Sequence, residues 1–182
     1  MMETKNTRLK KVTGLIMGFI LLFPVLMYGQ EAIALTDPEI ASVAVTANQI
    51  DVNYAKLALE KNVSSEVKQF ANSMIKDHSS VIDMAVALAT KLGVTPKDNA
   101  LTRQLLAGEK ETKANLKSLQ GKSFEKAYVD NEVAYHTAVI AAVKDVLIPQ
   151  SQNKELKALL QQVMPVLEMH LEHAKQLQAK YK

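Results

Sequence analysis

Residues 67–92 constrain this chain more than any other stretch. Their apolar side chains fall at Val67, Phe70, Ala71, Met74, Val81, Ala85, Leu88 and Leu92. Steps of three and four put these residues on one face of an α-helix and on no single face of a strand. His78 stands four residues after Met74 and three before Val81, inside that stripe. The helix must therefore turn this face, His78 included, towards a core. Two later stretches repeat the arrangement. Residues 124–148 carry Val129, Val133, His136, Ile140, Val143 and Leu147, with Tyr128, Tyr135 and Val139 widening the stripe. Residues 152–180 carry Leu156, Leu160, Val163, Leu167, His170, Ala174 and Leu177.

The punctuation between these stripes sets the architecture. Asp37-Pro38-Glu39 supplies a candidate N-cap, a proline for the first helical position and acid for the first turn. The helix that follows has Ile40, Val43, Ala44, Ala47, Ile50, Tyr54, Leu57 and Ala58 on one face and is expected to end near Lys61-Asn62. Ser64 or Ser65 caps the next helix, which stops at Gly93 with Thr95-Pro96 beyond it. Residues 98–119 have Leu101, Leu105, Leu106, Leu116 and Leu119 but are more polar and contain Gly108, which predicts a weaker, fraying helix. Gln120-Gly121-Lys122 reads as a turn, and Ser123 as the cap of the fourth long helix. Pro149-Gln150-Ser151 is predicted to break that helix, and Pro165 to kink the last one. The expected fold is all-α: four long helices in two antiparallel hairpins with an additional crossing helix, a ferritin-like four-helix bundle. One helical domain covers residues 35–182.

Residues 1–34 carry a different signal. Lys5, Arg8, Lys10 and Lys11 precede an apolar run over residues 12–28. The segment reads as a signal peptide, with cleavage after Gly29 or, in the Ala32-Ile33-Ala34 pattern, after Ala34. An uncleaved anchor competes, although Thr13, Gly14, Gly18 and Pro24 weaken the run as a membrane span. Composition narrows the function classes. With no cysteine the chain has neither disulfides nor thiolate metal sites. Removing residues 1–34 takes four of the 22 basic and two of the 19 acidic residues, leaving 18 against 17. So balanced a domain lacks the electrostatic footprint of a nucleic-acid binder.

Four histidines carry what chemistry the sequence offers. His78, His136 and His170 lie in the apolar stripes of three helices, and His173 falls nearer a polar face. Carboxylate candidates beside them are Asp51, Asp77, Glu132 and Glu168. Glu132 shares a helix face with His136, four residues on. A carboxylate-bridged di-iron site wants Glu-x-x-His on two helices. The residues three before His78, His136 and His170 are Ile75, Val133 and Leu167, so that pattern fails. Two readings follow. In one, the histidines stay neutral in a buried polar network with Asp77, Glu132, Tyr54 and Tyr128, and no cofactor is needed. In the other, His78, His136 and His170 hold a transition metal. Met74, Met84, Met164 and Met169 read as core filler, and Lys110, Lys113 and Lys117 as a solvated face. No nucleophile elbow or glycine-rich phosphate loop is present.

These pieces resemble a bacterial family of exported proteins, the domain-of-unknown-function family 4142. The resemblance covers about residues 37–178. It is carried by "KLALEKN", "EVKQFANSMIKDHSSV", "LGVTP", "LQGKSFEKAYVDNEVAYHTAVI" and "MPVLEMHLEHAKQL". Its strongest positions are Phe70, Ala71, Met74, Asp77 and His78; Phe124, Tyr128 and His136; and Pro165, Leu167, His170 and Ala174. The chain departs from the family at Asn53, where a second acid is common, and at Ile82, where an asparagine is. The resemblance implies a signal peptide, a ferritin-like bundle and no particular reaction. Members are often labelled outer membrane proteins, yet this chain lacks the alternating strands of a barrel. The resulting expectation is a non-enzymatic helical protein of the periplasm or outer-membrane surface, with peripheral membrane association, serving envelope stress or binding an unknown envelope partner. The competing expectation is a metal-binding or redox bundle.

Overall fold

The computed structural model describes residues 34–181. The signal segment, Ala34 apart, lies outside the described residues. Helix α1 (Asp37–Leu59) turns into α2 (Ser65–Leu92), and α3 (Ala100–Ser118) leads to α4 (Gly121–Ala142). A π-helical turn (Val143–Leu147) and the single turn α5 (Ile148–Gln150) extend α4 before α6 (Lys154–Gln178). A 3-10 turn, Ala179–Tyr181, ends the described chain. Among the described residues there is no strand, and no helix is long and apolar enough to cross a membrane.

Polar contacts at the two ends establish the topology. At one end the Asp37 carboxylate accepts from the Gln152 and Asn153 amides at 2.9 and 2.8 Å, while the Lys97 amide donates to Pro38 O at 2.9 Å. The start of α1, the end of α2 and the start of α6 therefore meet. At the other end, Lys61 Nζ donates to Lys117 O and Leu119 O, both at 3.1 Å, and the Glu125 carboxylate accepts from the Ser64 amide and the Tyr181 hydroxyl. Helices α2 and α4 thus start at the same end and run parallel. The 19-residue α3 is about 28 Å long at 1.5 Å per residue and spans the return. This is the expected bundle, two antiparallel hairpins joined by a crossing helix.

Several element boundaries differ from expectation. Thr36, not Asp37, is the cap of α1: its amide and hydroxyl both donate to Glu39 Oε2, at 2.9 and 2.7 Å. Asp37 is left free to tie down α6. Helix α3 is continuous through Gly108, because Asn99 caps it by accepting from the Thr102 amide at 3.0 Å and Leu116 anchors its far end in the core. Helix α4 begins at Gly121, two residues before the expected Ser123 cap, with Gly121 itself at φ +53°. Pro149 does not end α4 by itself. It has no amide to give the ladder, so the preceding turn widens: the Ile148 amide reaches back to Val143 O. The chain leaves the helix at Ser151, whose amide and hydroxyl both donate to Leu147 O. Helix α6 starts at Lys154 rather than near Gln152, capped by Asn153, which accepts from the Glu155 and Leu156 amides.

Two apolar clusters fill the bundle. One gathers Phe70, Met74, Phe124, Tyr128 and Leu177 near the α1–α2 turn, and the other gathers Ile40, Val43, Leu147, Leu156 and Leu160 at the opposite end. Helix α2 contributes unequally to them. Its buried residues are Val67, Phe70, Ala71, Met74 and His78, and nothing beyond His78 is buried. The second half of its stripe, Val81, Ala85, Leu88 and Leu92, is only half-covered.

Candidate metal centre

The boundary between the two clusters is polar. Asp51 from α1, His78 from α2, His136 from α4 and His170 from α6 meet there, each 1–3% exposed. The imidazole ring centres lie 5.1–5.6 Å apart, so the three histidines sit at one level of the bundle. Their apolar spacing on amphipathic helices is what turns them inward; the common level comes from the lengths of the connecting turns.

Each ring is oriented by an oxygen on its outer side. His78 Nδ1 lies 2.7 Å from Asn48 Oδ1, and that amide is held in place because Asn48 Nδ2 donates to Ala44 O at 2.7 Å. His136 Nδ1 lies 3.0 Å from the carbonyl of Glu132, and His170 Nε2 lies 3.0 Å from Asp77 Oδ2. All three partners accept, so each of these nitrogens carries the proton and donates it. The remaining nitrogens, His78 Nε2, His136 Nε2 and His170 Nδ1, are then bare lone pairs. They are buried and without a hydrogen-bond partner.

Asp51 adds a fourth donor. Its Oδ2 lies 3.3 Å from His78 Nε2 and 3.4 Å from His136 Nε2, and both of its oxygens lack a hydrogen-bond partner. An O–H···N hydrogen bond would be shorter than either distance. Tetrahedral bonds of about 2.0–2.1 Å to one ion place neighbouring donor atoms about 3.3 Å apart. The spacing of Asp51 and the two imidazoles therefore matches ligands sharing a cation. The donor atoms of His78, His136 and His170 all lie within 4.8 Å of one another, as do those of Asp51, Glu132 and His136. This buried cluster of imidazoles and carboxylates can coordinate a metal ion.

Burial dominates the electrostatics. It pushes the Asp51 carboxyl up to about 8. It also drives Glu132 well above the usual carboxylate range, with the neighbouring Asp51 adding to the effect. His136 is lowered to about 4, by burial first and by His170 second. His78 is lowered well below its ordinary value, by burial first and then by the other two imidazoles. His170 is lowered less, because its hydrogen bond to Asp77 opposes its burial. Neutral imidazoles are the form that binds metal.

The sequence-expected residues divide into three groups. His78, His136 and His170 are brought together. Asp77 and Glu132 stand behind them: Asp77 orients His170, and Glu132 offers its carbonyl to His136 with its Oε2 3.5 Å from Nδ1. Tyr54 and Tyr128 lie further out. Tyr54 packs edge-on to Tyr135, and Tyr128 lies between Phe70 and Phe124 with its hydroxyl buried and unpaired. Glu168 is exposed and takes no part, and Met169 is 56% exposed rather than core filler. His173 packs on the Phe70 ring, away from the cluster. Asn48 was missed by sequence reasoning, although it lies one turn before Asp51 on the same face of α1.

A cavity of about 120 Å³ reaches this cluster. Asn48, Asp51, His78 and His136 line its inner end, and Asp37 and Asn153 its outer end. Comparison with curated proteins and with solved structures gave no match. A family profile described as "Domain of unknown function (DUF4142)" matches residues 27–177. With most of its length covered by that profile, the chain belongs to the DUF4142 family.

Proposed function

We propose that this protein is an exported metal-binding bundle that holds one first-row transition-metal ion with His78, His136, His170 and Asp51. The observation that carries the reading is the clustering of unpartnered donors. Three buried imidazoles, each with one nitrogen tied to an oxygen and the other without a partner, offer donor atoms within 4.8 Å of one another, and Asp51 Oδ2 lies 3.3 and 3.4 Å from two of the free nitrogens. Without a cation these groups repel or require a shared proton; with one, each finds its partner. Nitrogen donors of this kind select zinc, iron, copper or nickel over calcium and magnesium. Asn48, Asp77 and the Glu132 carbonyl serve as the outer shell that sets the tautomers.

Export is part of the proposal and rests on the basic N-terminus and the apolar run over residues 12–28. N-terminal sequencing of protein recovered from the cell envelope tests it, with Gln30 or Leu35 as the expected first residue. A polar network that serves only to fix helix register is the second reading, favoured by the raised Asp51 and lowered histidine pKa values. Metal content by mass spectrometry, on untagged protein, separates the two. One equivalent of metal per chain, lost in His136→Ala, supports a metal centre. A metal-free wild type that also fails to bind added zinc or iron(II) leaves the network.

A further inference from the structure

We infer that helix α3 is the gate of the metal centre, and that an ion reaches His136 and Asp51 between α1 and α4 when α3 lifts. That an ion is the cargo rests on the metal reading above; the opening of α3 does not.

Burial sets the problem. His78, His136, His170 and Asp51 are each 1–3% exposed, so no hydrated cation reaches them while every helix stays in place. The cavity beside them offers a poor route, because its lining between the two ends is aliphatic, Val43, Leu160 and Val163 included. Such walls cannot replace the water that a divalent ion must shed. Some element has to move.

Helix α3 is the one that covers the centre from the side. Leu105 packs against both apolar clusters, and the polar layer is the boundary between those clusters. The same residue lines the cavity together with Asp51, Tyr135 and His136. It is a plug between α1 and α4 at the level of the donors.

This helix is also lightly held. Of its 19 residues only Thr102 and Leu116 are buried, against ten of the 23 in α1. Along its length the ties to α1 are polar: Ser42 Oγ lies 3.3 Å from Thr102 Oγ1, and Asn53 Nδ2 donates to Glu109 Oε1 at 2.8 Å. Water can replace each of these when the helix lifts. The segment that carries α3 hangs between Gly93 and Gly121, at φ +64° and +53°, and small residues of this kind commonly absorb hinge rotation. Opening leaves polar groups at the entrance. Glu109, one turn beyond Leu105, is a largely covered carboxylate with Lys113 Nζ at 3.2 Å, and Asn53 stands two residues after Asp51 on α1. A cation entering there meets oxygen before imidazole.

A disulfide between α3 and α1 tests this in a chain that has no cysteine of its own. In the Ser42→Cys/Thr102→Cys double variant, two rates are read with the pair oxidised and then reduced. One is zinc release to excess chelator. The other is carbethoxylation of His136 in metal-free protein by diethyl pyrocarbonate, with the exposed His173 as internal standard. Expected is a fall of roughly tenfold or more in both rates on oxidation, with the His173 rate unchanged and wild-type values restored on reduction. Unchanged rates across a fully formed disulfide overturn the inference and leave the metal reading intact. Where the pair fails to close, Leu105→Ala takes its place and should raise both rates about tenfold with helicity unchanged; wild-type rates there also overturn it. Hydrogen exchange of the wild type adds a third arm. The α3 amides should open before those of α1, and simultaneous opening overturns the gate, since access then needs global unfolding. If the protein takes no zinc but oxidation still protects His136, the gate stands and the metal reading falls.

Discussion

At the scale of single residues, the second nitrogen of each imidazole decides the chemistry. Asn48→Ala frees His78 to rotate and to change tautomer, and Asp77→Ala does the same to His170. Each should weaken metal binding about 10–100-fold, measured by competition with a chromogenic chelator, while leaving the four direct ligands in place. The buried carboxyls give a pH signature. In metal-free protein Asp51 titrates near 8 when folded against an ordinary 3.8, so between those values the folded state holds the extra proton. Stability must then fall as pH rises through that window. Below about 6.5 the lowered histidines act in the opposite sense: the unfolded chain takes up their protons first, and acid destabilises the fold. At about pH 7.5–8, where the unfolded histidines have largely given up their protons, the carboxyls dominate. With Asp51 and Glu132 both raised, metal-free protein should lose roughly 2 kcal/mol per pH unit there, seen in urea melts. A bound metal keeps Asp51 ionised and should remove its share of that slope. His78, His136 and His170 were legible as inward-facing from spacing alone. Their oxygen partners were less so: Asn48 interrupts an apolar stripe as quietly as any surface asparagine, and nothing in its spacing announces that it faces a histidine on another helix.

At the scale of elements, helix starts and stops were legible wherever one residue type acts on its own backbone. Gly93 closes α2 at φ +64° with no atom near the position of a Cβ. Gly93→Ala should thus cost about 1 kcal/mol through backbone strain alone, measurable as a lowered urea midpoint with unchanged slope. Ends were less legible where the partner is remote. Asp37 looked like a cap from its neighbours, yet it serves the turn before α6 at the far end of the sequence. The widened turn before Pro149 was likewise hidden, because proline announces a lost hydrogen bond and not the way the preceding residues absorb it. Helix α3 looked weak because its propensity is modest; packing against α1 holds it straight, as tertiary contacts commonly do.

At the scale of the whole molecule, the two halves of the bundle differ in how tightly they are built. Phe70 is fully buried while Leu88, on the same helix, is half-covered. Phe70→Ala should destabilise by about 3–5 kcal/mol, and Leu88→Ala by roughly 1 kcal/mol or less. Hydrogen exchange should show the second half of α2 opening before the first. The bundle itself was legible from three stripes and their breaks; the hollow along α2 was not, because a periodic stripe promises a partner without showing how closely it will approach. The placement of the four donors, one per long helix of the bundle, has a further consequence for a chain without cysteine. An ion bound there is a covalent-like staple between segments that begin at Asp51 and end at His170. For a loop on the order of 100 residues, cross-linking of that kind removes roughly 4–5 kcal/mol of freedom from the unfolded chain. If the chain is exported as proposed, to a compartment where other small proteins rely on disulfides, this one would be fastened by a bond that a chelator, and not a reductant, undoes.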